Sequence, residues 1–444
     1  MTEIFDLVIR GATCVTPDGI GDVDIAVRGG KVAAIGDMGS AEAATIVDAE
    51  GLHVLPGVID TQVHFREPGN EHKEDLESGS RAAVLGGVTG VFEMPNTSPP
   101  TTTVEAFTDK IQRANGRMWC DFAFYVGASA DNVRNLGWLE RLRGGCGVKV
   151  FMGSSTGNLL VDDDDTLTAV LQNGRRRVAV HSEDEARLKE RKGLRRAGDP
   201  SSHAEWRDEE TALNATRRLL EIARNTGRRI HVLHVSTGAE MALLADNKDI
   251  ATVEATPQHL TLAAPDCYAI LGTYGQMNPP IRDAKQRDLL WSALMGGIVD
   301  VIGSDHAPHT REEKSKPYPD SPAGMPGVQT LVPVMLDHVN AGRMTLQRFV
   351  DLTSAGPARV FGIAGKGRIA IGYDADFTLV DMKASRKVED DWIASKCGWT
   401  PYAGTTLKGW PVATIIRGQL VMQEGELPGR PIGTAMRFTD TLRS

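Results

Sequence analysis

Asp60-Thr61-Gln62-Val63-His64-Phe65-Arg66 closes an apolar stretch that begins at Val54, and the fold turns on how that ending is read. A run buried on both faces that finishes in polar side chains is the pattern of a parallel strand presenting those residues at its C-terminal end. Seven more apolar segments follow, at 90–94, 122–126, 148–152, 178–181, 230–235, 252–255 and 299–302. With 54–64 they make eight. Helical periodicity fills several gaps between them, as in 206–224, where Ala212, Ala215, Leu219 and Ile222 share one face. Alternating strand and helix over this length predicts an α/β protein built on a closed (β/α)8 TIM barrel. A doubly wound open sheet is disfavoured, because Gly144-Gly145-Cys146-Gly147 precedes a strand, whereas a phosphate-binding loop follows one.

The two ends of the chain read differently. Segments 5–10, 23–28 and 31–35 are β-rich, with Gly29-Gly30 as a hairpin signal. The pattern returns in 367–370, 377–380 and 413–418. Residues 1–55 and 365–444 are therefore expected to form one small composite β-sandwich, with the barrel of 56–364 inserted between them.

Composition narrows the function classes. The formal charge of −9 opposes a general nucleic-acid or anionic-membrane binder, and Arg175-Arg176-Arg177 reads as a solvated basic loop. Five dispersed cysteines without a CxxC pair suggest reduced thiols and a cytoplasmic setting. No apolar stretch is long enough to span a bilayer, and no secretory signal is visible.

In a barrel the C-terminal strand ends converge on one mouth. Those ends carry His64 and Arg66 after the first strand, Asn96 after the second and Lys149 within the fourth. They carry His181 at the fifth, His234 near the sixth, and Asp305, His306 and His309 after the eighth. Singly, each histidine reads as a hydrogen-bonded structural residue, and Asp305 as a turn residue. Lys149 lies inside Val148-Lys149-Val150-Phe151-Met152, where burial demands a partner or a modification unless the chain snorkels outward. Jointly, imidazoles, a carboxylate and a lysine at one mouth match a site for zinc or a neighbouring metal. Strand alternation sends His231 and His234 to opposite faces, so only one is a ligand; His234 is chosen because it lies nearer the C-terminal end, which leaves His231 structural.

His64-Phe65-Arg66-Glu67-Pro68-Gly69, Glu93-Met94-Pro95-Asn96-Thr97 and the segment 305–309 together resemble the amidohydrolase superfamily and, within it, the dihydroorotases. The resemblance spans nearly the whole chain, including Gly372-Tyr373-Asp374-Ala375-Asp376 of the composite β-domain. It implies one or two zinc ions held by His64, Lys149, His181, His234 and Asp305, with Lys149 N6-carboxylated as a bridging ligand. It further implies that Asp305 shuttles protons and that Arg66, Asn96, Asn278 and His309 hold the substrate. The implied reaction is reversible hydrolysis of dihydroorotate to N-carbamoyl-L-aspartate in pyrimidine biosynthesis, by a homo-oligomer. Hydantoinase-, dihydropyrimidinase- and allantoinase-like activities are the neighbouring alternatives. Allantoinases and hydantoinases generally lack the arginine and asparagine that stand here at positions 66 and 96.

One position departs from the family pattern, which places two histidines on the first strand. Here the first is Gln62. An amide oxygen is a poorer zinc donor than imidazole. Either Gln62 binds weakly, a water fills the gap, or one metal is absent. The loss of a ligand also admits a non-catalytic homologue acting as a scaffold for aspartate transcarbamoylase. Segment 311–325, polar and rich in Pro and Gly, is either a loop closing over substrate or a static surface loop.

Overall fold

The computed structural model describes residues 4–153 and 157–442. Eight parallel strands run in sequence order around the centre: Val58–Val63, Val88–Glu93, Asp121–Gly127, Gly145–Phe151, Val178–His181, Ile230–Val232, Ala251–Ala255 and Val301–Ile302. The ring is nearly closed, and its seam is made just beyond the eighth strand. There Val63 bridges His306, His64 N donates to His306 O at 2.7 Å, and Ser304 N donates to the Asp60 carboxylate at 2.9 Å.

Helices pack outside the ring through apolar stripes. Glu209–Thr226 buries Ala212, Ala215, Leu219 and Ile222, the face anticipated from periodicity. Its start lies later than expected because Asp208 caps it, accepting from Thr211 N at 3.0 Å, and it stops at Gly227 in the left-handed conformation (φ 68°). Ser202–Trp206 is a separate short helix. Each fully buried Leu or Ile on such a face contributes about 1.5–3 kcal/mol.

The expected strand 54–64 is two strands. His53–Pro56 pairs with Phe377–Lys387 in a six-stranded sheet, whereas Val58–Val63 opens the barrel. Gly57 lies at the crossing. A Cβ there would stand 2.3 Å from Thr89 Oγ1, so the chain passes between the two bodies only without a side chain.

Strands from both ends of the chain share the six-stranded sheet: Gln419–Gln423, Thr406–Ile416, Phe377–Lys387, His53–Pro56, Thr13–Thr16 and Gly19–Asp22. A four-stranded sheet of Lys31–Gly36, Asp24–Arg28, Phe5–Arg10 and Ala43–Asp48 packs against it. Leu7, Ile9, Ile25, Val54, Phe377 and Ile415 form their common core. The expected strand 367–370 is irregular backbone, although Ile369 is fully buried in that core. The fourth barrel strand begins at Gly145, earlier than the apolar run suggested. All five cysteines are buried and unpaired, and among the described residues no helix is long and apolar enough to cross a membrane.

Candidate active site

Every site residue expected from the sequence lines one cavity of about 120 Å³ at the barrel mouth. His64, Arg66, Asn96, Lys149, His181, His234, Asn278, Asp305 and His309 all reach it, joined by Gln62 and Phe151. Backbone strain gathers there too. Of the five non-glycine residues with positive φ among the described residues, three are Arg66 (63°), His234 (37°) and Asp305 (44°).

Two of the imidazoles, His181 and His64, are each held through one ring nitrogen, which aims the other at a second site residue. His181 Nε2 pairs with Glu183 Oε2 at 2.8 Å, which turns its Nδ1 toward His234 Nε2, 3.0 Å away. His64 Nδ1 pairs with Asn96 Oδ1 at 2.8 Å, which turns its Nε2 toward Asp305 Oδ1 at 3.2 Å. Asn96 therefore orients a histidine as well as lining the cavity. Burial lowers the pKa of all three histidines, so they stand as neutral imidazoles at pH 7. Neutral imidazole is the metal-binding form.

Lys149 points inward in register with Ala179 and is buried. Its ammonium lies 4.5 Å from the Phe151 ring centroid and makes no hydrogen bond with a described residue. Burial pulls its pKa down to about 7, against the attraction of Asp305 and Glu254. The outward-snorkelling alternative is thereby removed.

Gln62 donates its amide to Asp305 Oδ1 at 2.9 Å, while its own Oε1 is buried without a partner. Among the described residues no three His, Cys, Asp or Glu side chains stand at ion-ligand spacing, and the site donors are hydrogen-bonded to one another. Their chemistry nonetheless fits a metal. Two nitrogens on one tetrahedral zinc sit roughly 3.3 Å apart, and the facing nitrogens of His181 and His234 are separated by 3.0 Å.

On the other wall, Arg66 donates from Nε to Pro308 O at 3.2 Å, and its Nη2 lies 3.3 Å from His309 Nε2. Its Nη1 has no partner among the described residues. His309 Nε2 also faces Ala323 O at 3.1 Å, and its Nδ1 faces Lys73 Nζ at 3.3 Å. Burial and then the charges of Arg66, Lys73 and Lys314 push its pKa well down, so this wall is a neutral imidazole among cations. Asn278 is held by His203, with Oδ1 2.9 Å from Nε2. Segment 311–325 is an ordered wall: Met325 pairs with Ala307, and Ala323 and Gly324 line the cavity.

His231 lies inside the barrel against Phe361 (5.2 Å between ring centroids) and Thr252, away from the mouth. The expectation of opposite faces for His231 and His234 fails, because the strand ends at Val232 and the backbone turns over before His234.

Sequence reasoning missed Glu183, His203 and Lys73. Glu183 had a signal, since it follows His181 by two residues, the spacing that shares a strand face. Burial raises the Glu183 pKa, but Arg207 and His181 outweigh it and hold the carboxyl below its ordinary range. Its stabilising contribution is therefore present above about pH 4.3 and lost as pH falls through the lower folded value. Glu183→Gln leaves buried Arg207 without its countercharge. We predict a loss of about 3–5 kcal/mol in urea unfolding at pH 7; an unchanged midpoint would show the pair to be dispensable.

A parallel eight-stranded barrel with imidazole, carboxylate and lysine donors converging at its mouth defines a hydrolase-type site. Residues 53–421 match the Amidohydrolase family, and the chain belongs to that family. It is 38% identical over 409 residues to a dihydroorotase of Halobacterium salinarum, covering 90% of this chain and 93% of the relative. It is 36% identical over 445 residues to an allantoinase of Deinococcus radiodurans, covering 97% and 98%. The solved L-hydantoinase (dihydropyrimidinase) from Arthrobacter aurescens superposes with a TM-score of 0.92 at 32% identity, covering 98% of this chain and all of that one. The protein is thus a hydrolase of the cyclic amidohydrolase group that these names span.

Proposed function

We propose that the protein is a zinc-dependent dihydroorotase that interconverts dihydroorotate and N-carbamoyl-L-aspartate in cytoplasmic pyrimidine biosynthesis. The observation that carries this reading is the Arg66–His309 wall opposite the histidine and Asp305 donors, a cationic seat within reach of the reacting centre. A planar guanidinium with a free edge matches a ring carboxylate bidentately. The relatives named allantoinase and L-hydantoinase sustain a second reading, a cyclic amidase for substrates without that carboxylate.

His64, Lys149, His181, His234 and Asp305 would hold zinc, with Lys149 as its carbamate. A bound zinc supplies an acidified water and polarises the scissile carbonyl. Lys149, buried and without a hydrogen bond to a described residue, has an amine that carbon dioxide converts to the carbamate with release of one proton. Asp305 accepts the proton of the attacking water and returns it to the ring nitrogen as the amide bond breaks. Gln62 holds Asp305 in place through its amide. Arg66 and His309 seat the carboxylate, while Asn96 and Asn278 contact the ring. The ligand is a small molecule; nucleic acid and membrane are not partners, and the working unit is a homo-oligomer.

Gln62 offers an amide oxygen where the family pattern has an imidazole, so an ion held by His64 would have a weaker donor set. The expected result is one zinc per chain retained after dialysis, measured by elemental analysis. Turnover is expected on dihydroorotate above that on hydantoin, allantoin and dihydrouracil. Protein that holds no metal and stays inactive after zinc addition would overturn the enzyme reading. Preference for an uncharged ring would replace dihydroorotase with the second reading.

A further inference from the structure

The basic run Arg175-Arg176-Arg177 is more than a solvated loop. It forms one wall of a second cavity, of about 420 Å³, at the end of the barrel opposite the mouth. Arg141, Arg229 and Arg359 complete a lining of six arginines. Arg175–Arg177 precede the fifth strand, Arg229 directly precedes the sixth, and Arg141 lies just before the fourth. The convergence is a product of topology, since the N-terminal ends of neighbouring strands must meet.

Two of the six are neutralised. Arg176 binds both oxygens of Asp440, at 2.7 and 2.9 Å, and Arg359 binds Asp351 at 3.1 Å. Among the described residues Arg141, Arg175, Arg177 and Arg229 have no carboxylate within ion-pair distance. In a chain of net charge −9 with 58 acidic residues, four unpaired guanidiniums in one concavity run against the average. Arg177 is also fixed. Its Nη1 donates to Ile230 O at 2.8 Å and Ile250 O at 3.3 Å, while its Nε is buried with no partner. A guanidinium anchored by main-chain oxygens and short of an acceptor is preorganised for an anion. Burial and the like charge of Arg229 lower its pKa to about 10, still fully protonated at pH 7.

We propose that this concavity binds a compact polyphosphate, either free or as the tail of a nucleotide. The cavity lies within the roughly 300–1,000 Å³ of small-molecule sites. A triphosphate tail, with about one negative charge on each linked phosphoryl group and about two on the terminal one, balances four arginine charges, and the planar forks suit phosphate oxygens. A concave site of this size suits a small ligand better than the convex acidic face of another protein.

The test is calorimetric titration of the zinc-loaded, full-length protein at low salt with tripolyphosphate, ATP and sulfate. Tripolyphosphate and ATP are expected to bind, sulfate far more weakly, and added salt to weaken both. Tighter binding of ATP than of tripolyphosphate assigns a nucleotide; equal binding assigns the phosphate chain alone. Arg175→Glu with Arg229→Glu, both at exposed positions, should weaken binding at least about tenfold, whereas Arg66→Met should leave it unchanged. Three outcomes would overturn the proposal: no binding of either phosphate ligand, binding unaffected by charge reversal, or loss of binding in Arg66→Met, which would place the ligand in the catalytic cavity. A change of oligomeric state on charge reversal without loss of phosphate binding would assign the arginines to a protein interface instead.

Discussion

Asp305→Asn is expected to lower kcat on dihydroorotate by about 10²–10⁴-fold while the fold stays intact, the scale of a lost general acid–base group. Asp305 sits where three functions meet. Its Oδ1 receives the Gln62 amide at 2.9 Å and stands 3.2 Å from His64 Nε2, and the side chain is almost fully buried at the cavity floor. Asparagine keeps the shape and tolerates the left-handed backbone (φ 44°) that Asp305 adopts, so strain does not change. What is lost is the ability to take a proton from water and give it to the leaving nitrogen. Metal content separates two contributions. Zinc retained with collapsed kcat assigns the proton-transfer role, and zinc lost with kcat adds a ligand role. Turnover near that of the unsubstituted protein would remove Asp305 from the chemistry.

The barrel was legible because its strands are buried on both faces and therefore read as apolar runs, and because polar residues interrupt those runs at one end only. His64, Lys149, His181 and Asp305 stand out against Val, Ile and Phe for that reason. Legibility fails where backbone geometry departs from the regular period. Nothing in Val54–Val63 announces that the chain changes sheet at Gly57; a side chain is excluded there by Thr89, more than thirty residues on. His231 and His234 were separated by alternation that stops at Val232. In both cases tertiary contact overrode a local rule.

The supporting residues were hidden for a different reason. Lys73 and His203 lie in polar stretches where a charge or an imidazole is unremarkable, and only folding brings them to His309 and Asn278. Asn96 was legible by its position but not by its second partner, His64. Arg175-Arg176-Arg177 shows the limit most plainly. The run is visible, yet its meaning depends on Arg141 and Arg229 arriving from neighbouring strand ends.

Arg66→Met is the second large effect, and it separates the two readings of the substrate. Arg66 is half-buried, and its φ of 63° imposes the same backbone cost on methionine as on arginine. The nearby buried Glu93 keeps its ion pair with Lys110, so no carboxylate is orphaned by the change. The fold should therefore survive. For a substrate carrying a ring carboxylate, the loss of charge-assisted hydrogen bonds removes about 1.5–3 kcal/mol. That corresponds to roughly 10–150-fold in kcat/KM. The same variant should act on dihydrouracil, which lacks the carboxylate, with kcat/KM changed by no more than about twofold, because a contact never made cannot be lost. The ratio of the two losses is the measurement. A large ratio supports dihydroorotase, since only a carboxylated ring uses the cationic wall. A ratio near one would mean that Arg66 shapes the cavity without reading charge, and the cyclic amidase reading without a ring carboxylate would then take precedence.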